Sequence, residues 1–162
     1  MNFSKKNQEH LRTNKNEVSK TINWKNAILA GVLGTLLFDL LGLAITGNWW
    51  DIPGILGAKT GLGLTYGVIG HYSNGILLSI LFAGIAPSLW GPKWARAFTF
   101  VIGETVALVW LFMLPLLGAG VAGVDMDPMM PVITILRHIA YAFPLIFLIN
   151  YDIIPTAKPV QN

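Results

Sequence analysis

The sequence predicts an all-α fold, an integral membrane four-helix bundle, and three observations lead there. Hydrophobic residues make up 54% of the chain and charged residues only 12%, about half of the roughly 25% that a soluble domain carries. The apolar residues gather in four runs, each long enough to cross a hydrocarbon core of about 30 Å at a rise of about 1.5 Å per residue. The cations are also segregated, with Lys5, Lys6, Arg12, Lys15, Lys20 and Lys25 all preceding or bordering the first run. At 162 residues the chain fits one domain.

Residues 1–23 are polar, with no apolar period and no hydrophobic core of a signal peptide. They read as a basic cytoplasmic tail in which His10 is solvated. The high isoelectric point reflects this tail rather than a basic face. The tail lacks the interleaved aromatics of a single-strand binder, so no nucleic-acid partner is expected. The membrane domain is placed at 24–154 and a short polar tail at 155–162.

The first span is expected at 27–45, with Trp24 and Lys25 as interfacial anchors and Asp39 inside it. Thr46 to Gly61 contains Trp49, Trp50, Pro53 and several glycines, and reads as an interfacial loop with Asp51 and Lys59 solvated. The second span is expected at 64–86. Gly63, Gly67, His71, Gly75, Ser79 and Ala83 recur every four residues there, a stripe of small side chains with one imidazole in it. Such stripes let membrane helices approach closely. The turn Gly91-Pro92-Lys93 leads to a third span at 97–117, which carries Glu104 and, near its far end, Pro115. Gly118 to Pro131 is a second loop, with Asp125 and Asp127. The fourth span, 132–150, holds Arg137, His138 and Pro144, and Pro144 is expected to free the Ala140 carbonyl and kink the helix.

Placing the N-terminus in the cytoplasm puts the tail, Lys93, Arg96 and Lys158 inside and leaves Lys59 outside. The positive-inside rule therefore predicts that both termini are cytoplasmic. Spans one and three each follow a Trp and carry a carboxylate beside small residues. Spans two and four each carry a histidine about a third of the way in. This hints at two repeated helical hairpins related by a pseudo-two-fold axis along the membrane normal.

Each span thus holds one ionisable residue that cannot easily snorkel: Asp39, His71, Glu104 and His138. A charge at the bilayer centre costs about 2.5–3.5 kcal/mol on insertion scales, so these groups are expected to meet or to neutralise one another. The rise per residue puts Asp39 and His138 roughly 18 Å from the cytoplasmic face, His71 slightly further and Glu104 only about 10 Å, which sets Glu104 a turn or two below the others.

Three readings of this centre stay open. It can be interhelical hydrogen-bond glue, making the chain a structural or assembly subunit. It can be a path for protons, ions or a small solute. Or His71 and His138 can bind a metal or haem iron, with Asp39 as third ligand. No HxxxH or ExxH spacing supports the metal reading, and the absence of cysteine removes thiolate sites and covalent haem attachment. No hydrolase, P-loop, zincin or dinucleotide motif appears, so no catalytic residue is assigned and no enzymatic activity is expected. Around the centre, Asn74 is placed to hydrogen-bond His71, and Tyr141 to hydrogen-bond His138. Arg137 is left to Glu104, Asp39, a loop aspartate or lipid phosphate. Glycine stripes on more than one span point to a homo-oligomer or a larger membrane complex.

His71-Tyr72-Ser73-Asn74-Gly75, Trp90-Gly91-Pro92-Lys93, Glu104, Leu114-Pro115-Leu116-Leu117-Gly118 and a late helix bearing His138 followed by aromatics also carry a resemblance. Over roughly residues 63–152 the chain resembles the small bacterial inner-membrane proteins of the YagU type and related families of unknown function. The resemblance implies an inner-membrane location and a shared internal site at His71 and His138. A member of that family is associated with acid tolerance, which fits proton-linked behaviour. The first span and the tail match the family less well.

Overall fold

A computed structural model describes residues 22–150. Nearly all of the expected N-terminal tail, and the whole C-terminal tail, lie outside the described residues. Within them the chain is helical and contains no strand. Four helices are long and apolar enough to cross a membrane: α1 (Trp24–Thr46), α3 (Gly63–Ile85), α4 (Lys93–Leu116) and α5 (Met130–Leu148). Large apolar side chains such as Leu37, Ile69, Leu77, Leu111, Phe112, Leu136 and Phe147 point outward along them. Patches of that kind need lipid or protein to cover them, which marks the chain as a multi-pass membrane protein. Trp24, Trp90 and Trp94 are exposed at one end of the bundle, where an aromatic belt belongs.

The expected interfacial loop contains a fifth helix, α2 (Asp51–Thr60). Its glycines and Pro53 look like helix breakers, but Pro53 sits in the first turn, where a missing N–H is harmless. The Asp51 carboxylate accepts a hydrogen bond from the Ile52 N–H at 2.7 Å, and Lys59 lies in the last turn, so each end carries the charge that suits the helix dipole. The glycines serve packing instead. A Cβ on Gly57 would strike the Gly63 carbonyl, and one on Gly67 would strike the Pro53 carbonyl. α2 thus lies directly on the first half of α3. Trp50, just before α2, holds a left-handed backbone (φ 59°) that is uncommon for a bulky residue.

α1 and α5 form the central pair of the bundle, with α3 packed on α1 and α4 packed on α5. The α1–α3 contact uses the small-residue stripe as expected. A Cβ on Gly31 would come within 2.6 Å of the Ile76 Cα, and the Ser79 hydroxyl donates to the Ala27 carbonyl at 2.7 Å. α3 and α4 touch through the Phe82 and Phe100 rings, with centroids 5.3 Å apart. At that same end the Arg96 guanidinium donates to the carbonyls of Gly91 (2.6 Å) and Ala86 (2.9 Å) and so fixes the turn between the two helices.

α4 changes character after Glu104. Residues Thr105–Met113 are π-helical, and the Leu114 N–H bonds the Val109 carbonyl. Pro115 cannot supply the N–H that would bond Leu111 in an α register. The wider turn carries Glu104, Val109 and Leu114 inward at steps of five, while Leu108, Leu111 and Phe112 face out. α5 stays helical through Pro144 from Met130 to Leu148. Asp127 leads into α5, its carboxylate accepting from the Met129 N–H at 2.7 Å.

Candidate functional site

The ionisable residues of the four spans assemble as two carboxylate–imidazole pairs. In the first, His71 Nε2 lies 3.0 Å from Asp39 Oδ1. A neutral imidazole with its proton on Nε2 donates here, leaving Nδ1 as the free acceptor. In the second, His138 Nδ1 lies 2.7 Å from the Thr134 carbonyl, which can only accept. The Nδ1 proton is therefore fixed, and His138 Nε2 faces Glu104 Oε2 at 3.6 Å. A bare lone pair turned toward a carboxylate would be repelled. The repulsion is relieved as imidazole with carboxylic acid or as imidazolium with carboxylate, each of which gives the pair one further proton.

Phe38 joins the pairs. Its ring centroid is 5.5 Å from that of His71 and 5.0 Å from that of His138. The two imidazoles therefore address their own carboxylates, with an aromatic ring touching both. Among the described residues no group of three or more histidine and carboxylate side chains converges as a metal site requires. Of the set His71, His138 and Asp39 named in the metal reading, His71 meets Asp39 while His138 faces Glu104.

Arg137 completes the centre. Its guanidinium makes a two-pronged ion pair with Asp51, at 2.7 and 2.9 Å. It also lies 3.7 Å from Asp39 Oδ1, donates from Nε to the Phe38 carbonyl at 3.2 Å and covers the Phe38 ring at 4.1 Å. Gly42 makes room for it, since a Cβ there would strike the guanidinium. Two carboxylates, Asp39 and Asp51, thus share one permanent cation. The cluster is neutral when one further proton is present, on His71 or on Asp39.

Several sequence expectations are corrected. Asp51 is not solvated but forms the closest partner of Arg137, carried inward by α2; of the partners open to that arginine, the loop aspartate and Asp39 are both realised. Glu104 does not lie a turn or two below the others but beside His138, because α4 begins at Lys93, four residues earlier than the expected span, which adds about 6 Å of rise. Asn74 is exposed on α3, away from the His71–Asp39 contact. The Tyr141 hydroxyl donates to the Gly75 carbonyl at 2.6 Å rather than to His138, and so ties α5 to α3. Phe38 does not stand out in the sequence, where an aromatic in an apolar run reads as packing; its position beside Asp39 is the available signal. Asp39 Oδ2 and Trp50 Nε1 are buried without a hydrogen-bond partner among the described residues, and the Tyr72 phenol lies near both residues. Comparison with protein-family models, with curated proteins and with solved structures gives no match.

Proposed function

We propose that the protein carries protons across or within the membrane, using Asp39–His71 and Glu104–His138 as two proton-holding pairs. The observation that carries this reading is the second pair, in which His138 Nε2 faces Glu104 Oε2 at 3.6 Å while Nδ1 is held by the Thr134 carbonyl, so that a proton on either group relieves the repulsion between them. The first pair adds another, because the charges around Arg137 balance only when Asp39 or His71 takes a proton. Simple structural glue would be served by neutral hydroxyls and amides, which avoid the expense of four ionisable groups in the spans.

We place the protein in a bacterial inner membrane with both termini cytoplasmic, supported by Trp24, Trp90, Trp94, Lys25, Lys93 and Arg96 gathering at one end. We also read the chain as two related hairpins, α1/α3 and α4/α5, because each brings together its own carboxylate and its own histidine. A place among the YagU-type proteins, and assembly into a homo-oligomer or larger complex, belong to the same proposal.

The test is proton flux into liposomes that hold a pH-sensitive dye, driven by a potassium diffusion potential. The wild-type protein is expected to acidify or alkalinise the lumen with the sign of the potential. Glu104→Gln and Asp39→Asn are expected to abolish the signal while eluting as folded protein in detergent. Flux that is absent in the wild type, or undiminished in both variants, would sink the proposal.

A further inference from the structure

We infer that Phe38 is the gate between the two proton-holding pairs, an inference that rests on the proton-carrying reading above. His71 Nε2 is engaged by Asp39. His138 Nδ1 is engaged by the Thr134 carbonyl, and its Nε2 faces Glu104. The Phe38 ring touches both imidazoles. A benzene ring has neither a lone pair nor an exchangeable proton, so no hydrogen-bonded hop crosses it. By way of the ring itself, neither pair can pass a proton to the other.

The ring is also held in place. Its backbone carbonyl accepts from Arg137 Nε at 3.2 Å, and the guanidinium lies on its face at 4.1 Å, a cation–π contact in a desolvated setting. Arg137 is in turn clamped by Asp51 on α2. A hydronium entering the gap would meet the positive guanidinium at close range, which adds an electrostatic barrier to the steric one. Transfer between the pairs therefore requires the Phe38 side chain to swing away and admit water. The charged and titratable groups around this gap are Asp39, His71 and Tyr72 on one side, Glu104, His138 and Tyr141 on the other, with Arg137 and Asp51 at the ring face.

Replacing the ring by a small side chain should open the gap permanently. In the liposome assay Phe38→Ala is expected to raise proton flux about tenfold or more, equivalent to a barrier lower by about 1.4 kcal/mol. Flux is expected to rise in the order Phe38→Leu, Phe38→Val, Phe38→Ala as the side chain shrinks, and the Leu and Val variants keep the gate testable if the alanine protein does not fold. The increase must disappear when Glu104→Gln is added. Wild-type flux that is sensitive to Glu104→Gln but unchanged across the Phe38 series would overturn the gate and leave the proton reading standing. An increase that ignores Glu104→Gln would be a nonspecific leak and would also overturn the gate. Silence in every protein would overturn both inferences, and the wild type would fail first.

Discussion

Arg137 is the residue on which the charge balance of the membrane interior turns. It answers two carboxylates, Asp39 and Asp51, and lies over Phe38. Removing one partner from a buried ion pair leaves an uncompensated charge and typically costs about 3–5 kcal/mol. Arg137→Leu is therefore expected to destabilise the protein by that amount, measured as loss of resistance to unfolding by added SDS. Adding Asp51→Leu should recover part of the loss, and the double-mutant cycle isolates the coupling between the two side chains. Simple additivity of the two substitutions would contradict the ion pair. At this scale the sequence is informative about membership of the centre but not about pairing. Asp39, His71, Glu104 and His138 stand out because an ionisable group in an apolar run is expensive. Their partners depend on helix rotation and depth, which a single run of residues does not specify. Phe38 carries no such cost, so nothing in the sequence distinguishes it from its apolar neighbours.

Among the helices, the glycines of α3 divide into those that permit a close crossing and those that do not. Gly75 faces Thr35, and a Cβ there would collide with the threonine hydroxyl, which itself donates to the Gly31 carbonyl at 2.8 Å. At Gly70 a Cβ would meet nothing within 4 Å. Gly75→Ala should therefore lower stability by about 1–3 kcal/mol, the usual penalty of overpacking. Gly70→Ala should stay within about 0.5 kcal/mol, as substitutions away from packed contacts do. Thermal midpoints of the two variants in the same detergent would check this, and equal effects would refute the close α1–α3 crossing. The four-residue stripe in α3 is legible because it repeats with the helix. α2 is not, because its Gly and Pro residues look like breakers until α3 is packed against them. The π-helical stretch of α4 is also hidden, since it is Pro115 together with the inward demand of Glu104, Val109 and Leu114 that favours the wider turn.

For the molecule as a whole, the central α1–α5 pair brings both carboxylate–imidazole pairs against the Phe38 ring. The proposed orientation follows from the segregation of cations. The absence of cysteine makes it directly measurable by single-cysteine labelling with an impermeant maleimide. Ser88→Cys, in the turn before α4, is expected to be labelled from the cytoplasmic side. Ala58→Cys, at the exposed end of α2, is expected to be labelled from the opposite side. The reverse pattern would invert the topology, and labelling of both from one side would overturn the four-span arrangement.

The sequence by itself determined the all-helical class, the four spans, the cation asymmetry and the identity of the ionisable groups. These follow from the free energy of placing each residue in hydrocarbon or in water, which is a property of composition and local period. The tertiary structure alone decided which carboxylate meets which histidine, that Asp51 is carried by α2 onto Arg137, and that Phe38 touches both imidazoles. Those outcomes depend on helix register and rotation. They are set by close contacts such as Gly31 on Ile76 and Gly42 on Arg137, where the shapes of distant segments must fit, and no local pattern encodes that fit.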